Sequence, residues 1–151
     1  GGMVGLGGYL DITGGKVDAT IGSDEAFTYA VAGVMGTALT TFTISGVEVS
    51  VDILKVDTST DSHSVGNHAL AVTCYEKIGA AWKSVSGSKV EKCKFAGSYT
   101  VTTGTYSSNS LTVPPSGESI AVTIDNFRSL IVAEKSGTDI SVAEDNVFIS
   151  K

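Results

Sequence analysis

Val and Ile together fill 28 positions of the chain against seven for Leu, and Thr fills 17 more. Side chains branched at Cβ are stiff in a helix and fit the pleated, half-buried surface of a sheet. A chain biased in this way is constrained toward strands. Its apolar residues recur at every second position over short stretches, and Gly, Ser, Asn or Pro clusters interrupt them every eight to twelve residues. Val17, Ala19 and Ile21 share one face of a strand, with Tyr9–Thr13 before it and Gly14-Gly15 between, which reads as a hairpin. Phe42 and Ile44 alternate with polar neighbours, as do Val47, Val49, Val51 and Ile53, and the phase shifts at Ser45-Gly46 as at a turn or bulge.

Further strands are expected at residues 69–77, 80–85, 89–95, 99–106, 110–113, 120–124, 129–134, 139–143 and 147–149. Between Ser23 and Phe42, Gly33, Gly36 and a run of Thr favour two strands over a helix. Short loops imply antiparallel neighbours. No internal repeat of solenoid period emerges. The expected fold is therefore all-β, an antiparallel β-sandwich, Ig-like or jelly-roll, of about ten to twelve short strands, with a closed β-barrel as the alternative.

The 151 residues suffice for one domain with a real core, expected over 9–151. Residues 1–8 form an arm with Gly at positions 1, 2, 5, 7 and 8. Glycine loses the most conformational entropy on ordering, so an ordered arm of this composition is most simply explained by pairing with a sheet edge, its own or a neighbour's. Met3, Val4 and Leu6 are its assembly residues.

Charged residues make up only 17% of the chain, its net charge is −6, and Arg128 is the single arginine. Hydroxyls, from 19 Ser and 17 Thr, cover the surface instead. No basic stripe is present to neutralise phosphates, which argues against nucleic acid as a partner. No apolar run approaches the roughly 20 residues of a membrane helix, which argues against insertion. Cys74 and Cys93 lack CxxC spacing, and the secreted-looking composition favours a disulfide between them.

Little in the chain points to catalysis. Histidine occurs only at 63 and 68, within one polar loop, so no base stands ready for a serine or cysteine nucleophile, and no G-x-S-x-G elbow occurs. No cofactor is expected apart from Ca2+. Asp57-Thr58-Ser59-Thr60-Asp61 opens like an EF-hand loop but has Ser62 at the sixth place and His68 at the twelfth, which excludes that motif. Asp57 and Asp61, with Asp52 or the Glu144-Asp145 pair, are the candidate oxygen ligands for a less formal site. Trp82, Tyr75 and Tyr99 are the candidate platform on which a glycan could stack.

These readings point to a protein that is not an enzyme. It is expected to be a structural subunit of an extracellular filament, tube or virion surface. Its partners are copies of itself, joined when the N-terminal arm adds a strand to a neighbour's sheet. The alternative is a cell-surface adhesin or carbohydrate-binding module.

Overall fold

The structure is a computed structural model that describes residues 1–23, 31–58, 68–74, 85–107, 110–112, 118–133 and 139–151. Residues 42–53 show how the local pattern becomes architecture. Phe42 and Ile44 are buried while Thr43 and Ser45 are partly exposed, so β6 (Phe42–Ser45) has one inner face. Gly46 then takes φ +67°, Val47 enters the core, and β7 (Glu48–Thr58) resumes with Val49, Val51 and Ile53 fully buried. The two strands do not pair with each other. The left-handed residue turns the chain onto a new face without reversing it.

The same path recurs. Sheet A contains β1 (Val4–Gly7), β5 (Met35–Ala38), β9 (Val72–Cys74) and β14 (Val132–Ala133), in that order. Sheet B contains β2 (Leu10–Thr13), β6, β10 (Ser88–Glu91) and β15 (Ile140–Val142). Sheet C contains β3 (Lys16–Gly22), β7, β11 (Lys94–Ser107) and β16 (Val147–Phe148). Every one of these pairings is parallel. The chain therefore winds through sheets A, B and C in turn, and each circuit stacks on the previous one as a rung. Four rungs are present among the described residues, forming a β-solenoid. β4 (Val31–Ala32) and β8 (His68–Ala69) form a further parallel pair where the chain passes from sheet C back to sheet A.

Among the described residues antiparallel pairing is confined to β11. There β12 (Ser110–Thr112) forms a hairpin with its end, and β13 (Glu118–Ala121) lies beside Ser98–Val101. One helical turn, α1 (Phe127–Leu130), precedes the last rung and buries Phe127.

Stacked rungs place like positions above one another, so the core is a set of columns. Ile12, Ile44, Val90 and Val142 form one; Val17, Val49, Phe95 and Phe148 form another; Val4, Met35, Val72 and Val132 form a third. Outward positions stack too. Glu48 lies between Lys16 at 3.1 Å and Lys94 at 3.8 Å, a column of alternating charge along sheet C.

The corner between sheets B and C is hydrogen-bonded from rung to rung. The Gly14 N–H donates to the Ser45 carbonyl at 2.7 Å, and the Gly46 N–H donates to that of Glu91 at 3.1 Å. Gly14 (φ +71°), Gly46 (φ +67°) and Lys92 (φ +55°) hold the same left-handed place in successive rungs. Glycine meets that demand without strain, whereas lysine does not.

Several expectations are corrected. The fold is not an antiparallel sandwich or a closed barrel, because, the β11–β12 hairpin apart, the strands flanking the short connections belong to different sheets and pair in parallel with neighbouring rungs. Gly14-Gly15 is a corner, not a hairpin turn, and the stretch 89–95 is broken at Lys92-Cys93 into β10 and β11. An internal repeat does exist, with x-φ-x-G as its corner signature in the first two rungs. The expected disulfide is absent: Cys74 lies in β9 of sheet A and Cys93 at the sheet B–C corner, both buried in the core and not bonded to each other. Burial pushes the Cys93 thiol pKa up, and its Sγ lies 3.1 Å from the Glu91 carbonyl.

Candidate functional site

In the middle two rungs the inner side chains are buried completely or nearly so. Among the described residues, every partly buried apolar residue packed against the core belongs to one end of the stack: Val4, Leu10, Ile12, Ala19 and Ile21 at the first rung, Leu130, Val132, Ile140, Val142 and Phe148 at or beside the fourth. The two ends are the places where core surface and unpaired backbone coincide, and they form the candidate site.

At the first end, β1, β2 and β3 each pair on one side only, among the described residues. Peptide direction alternates along a strand, so the open donors can be assigned. The Gly14 N–H faces β6, which turns Asp11 and Thr13 outward. The Ser23 N–H donates to Leu54, which turns Lys16, Asp18 and Thr20 outward. The arm residues help form this end. Val4 sits beside Met35, Leu6 is in register with Thr37, and the pairing is with the chain's own β5. Gly2 lies so close to its neighbours that a Cβ there would be 2.3 Å from the Gly33 carbonyl and 2.6 Å from Val17 Cγ1. Met3 is 37% exposed, and Tyr9, at the corner between sheets A and B, is 77% exposed with φ +51°. The Tyr9 N–H donates to Thr40 Oγ1.

The fourth rung differs at its B–C corner. Where the lower rungs accept the next hydrogen bond on backbone, the Lys92 N–H donates to Asp145 Oδ1 at 2.9 Å and the Cys93 N–H to Asn146 Oδ1 at 3.0 Å. Asn146 is buried, and its Nδ2 donates to the carbonyls of Val90 and Ala143, both at 2.8 Å. Arg128 completes the closure by donating to the carbonyls of Ala143, Glu144 and Asn146, at 3.3, 2.7 and 3.3 Å, and by pairing with the Glu144 carboxylate at 3.3 Å. Its guanidinium lies 5.4 Å from the centre of the Phe127 ring, which packs against Phe148. At this corner Asp145 and Asn146 thus stand in for the backbone acceptors of the fourth rung, and Arg128 supplies donors to its carbonyls. Among the described residues β14 and β15 keep open outer edges.

The other candidate residues do not converge. Tyr99 is an inner residue of β11, 1% exposed; its hydroxyl donates to Leu130 at 3.1 Å, and burial raises its pKa. Its ring lies tilted against that of His68 with centroids 4.8 Å apart, so it belongs to the core and not to a surface platform. Trp82 and Tyr75 lie outside the described residues, as do His63 and Asp61. Asp57 is placed in β7, opposite Thr103. Asp52 is engaged by the Ser98 hydroxyl at 2.7 Å and by Lys151, and the Lys151 bond, then that of Ser98, holds its pKa below the usual carboxylate range. Among the described residues no group of three His, Cys, Asp or Glu could hold a metal ion.

Sequence reasoning singled out Asp145 only as a calcium ligand and Arg128 only as a lone charge, and it passed over Tyr9 and Asn146. The extra residue that carries the corner closure, between Val142 and Val147, becomes visible only once the rungs are aligned. Comparison with protein-family models, with curated proteins and with solved structures finds no match.

Proposed function

We propose that the chain is a structural subunit of an extracellular filament, tube or virion surface, and that it associates with copies of itself by adding strands at the end of the solenoid. The observation that supports this reading most is the open first rung, where three parallel edges surround a half-buried apolar layer. An open edge is a template for another strand, because its unpaired N–H and C=O groups stand in a row. The arm contributes as the β1 edge of that rung. The low charge and hydroxyl-rich surface suit a packed external assembly.

The energetics favour reversible contact. Completing the burial of a half-exposed Val, Leu or Ile contributes about 1 kcal/mol. A few such side chains from each partner give a sum of the same order as the roughly 4–15 kcal/mol that association costs in lost freedom. Exposed Tyr9 and Met3 add the residue types enriched in interfaces.

The test is molecular mass as a function of concentration, by sedimentation. The native chain is expected to grow heavier on concentration. Thr13→Pro removes one outward-facing donor from an edge strand, a place where proline is tolerated, and is expected to move the mass toward that of the single chain while the melting curve stays near native. A native chain that keeps the monomer mass at every concentration would sink the reading.

A further inference from the structure

We propose that the partner of the first rung is the fourth rung of a second copy, placed head to tail, with β14 and β15 of one copy receiving β1 and β2 of the next. This rests on the self-association proposed above and specifies its direction and contact surface.

Three observations carry it. The inner columns begin and end on matching side chains: Val132 would be followed by Val4 of the next copy and Val142 by Ile12, aliphatic on aliphatic, as within the stack. The parallel strand direction is preserved, so the same ladder geometry continues without a new kind of pairing. The outward columns join without like charges meeting. In sheet B the column Asp11, Thr43, Lys89, Ser141 would continue with Asp11 of the next copy beside an uncharged serine. In sheet C the column Lys16, Glu48, Lys94 ends on Val147, so a following Lys16 would face no cation.

The closure at the fourth rung limits the contact to sheets A and B. Arg128, Asp145 and Asn146 already satisfy the B–C corner, and β16 offers only Val147 and Phe148 against the seven residues of β3. An end-over-end arrangement, in which two first rungs meet, would set the strands antiparallel and break every column.

Cysteine cross-linking distinguishes the arrangements. Asp11 and Ser141 are both exposed, and adjacent strands hold paired Cα atoms about 5 Å apart, within reach of a disulfide. The native Cys74 and Cys93 are buried and give little background. Asp11→Cys and Ser141→Cys are made singly and together, checked for native melting curves, and oxidised with copper phenanthroline at concentrations where sedimentation shows association. The double variant is expected to form a ladder of covalent multimers, a mixture of the two single variants is expected to form one mixed dimer, and each single variant alone is expected to stay monomeric. Dimers of Asp11→Cys alone would replace head-to-tail stacking with end-over-end pairing. Association without any cross-link would place the contact elsewhere and overturn this inference alone. Absence of association would overturn the functional reading beneath it.

Discussion

At Lys92 the chain holds a lysine in a backbone conformation that its two stacked counterparts fill with glycine. A Cβ in the left-handed region crowds the carbonyl that follows, at a cost of about 1 kcal/mol or more. The side chain is exposed and the N–H is bound to Asp145, so the conformation is imposed by the corner. Lys92→Gly is therefore expected to stabilise the protein by about 0.5–1 kcal/mol, net of the extra freedom glycine gives the unfolded chain. A urea titration reads this as a higher midpoint with unchanged slope; a lower midpoint would show that lysine makes a contact worth more than the strain. At this scale the sequence was legible. The alternation that places Phe42, Ile44, Val49, Val51 and Ile53 inward, and the phase shift at Ser45-Gly46, both hold in the structure, because burial on one face of a strand obliges every second residue to be apolar whatever the strand pairs with. Tyr99 was misread for the complementary reason: a tyrosine within a strand pattern is apolar enough to face inward when its hydroxyl finds a carbonyl, as it does at Leu130.

Between elements the sequence was less informative, and the reason lies in the corners. A two-residue link such as Gly14-Gly15 serves a hairpin or a change of face equally well, and alternation on either side says nothing of which strand lies alongside. The repeat was hidden by its spacing. Lys16, Glu48, Lys94 and Val147 are equivalent positions, yet successive intervals grow from 32 to 46 to 53 residues, so no fixed period exists to be found. The last corner is where one element depends most on one side chain. Asn146 answers the Cys93 N–H and the carbonyls of Val90 and Ala143 from a buried position. Asn146→Ala would leave the Cys93 N–H buried without its acceptor, at a cost of about 1–3 kcal/mol, while the Val90 carbonyl keeps the Ala143 N–H and the Ala143 carbonyl keeps the Asn146 N–H and Arg128. The expected result is a melting temperature lowered by several degrees, read by calorimetry. Asn146→Asp, which keeps the acceptor for Cys93 and loses the donors, is expected to recover part of the loss.

For the whole molecule, the stacking of rungs makes stability nearly a sum of nearest-neighbour terms, so opening begins at the ends. Amide exchange is expected to be slowest at the central positions Ile44, Val49 and Val90 and faster in β1, β2, β14 and β15. On concentration, protection should rise at Asp11 and Thr13, whose N–H groups face outward, and stay constant at the centre. Protection that rises equally throughout would indicate tighter folding instead of an occupied end. The location of the candidate site could not be read from the chain, because an end exists only relative to the stack.

The B–C link has a further consequence. It is two residues long in each of the first three rungs and four in the last, while the other two passages vary freely in length. This link acts as the molecule's ruler: across the first three rungs it holds the columns of sheets B and C in step, and the larger variation in chain length is diverted to the other seams. Foreign peptide spliced into those seams would redecorate the shaft and leave its pitch untouched, whereas one added residue beside Gly46 would throw every column above it out of step.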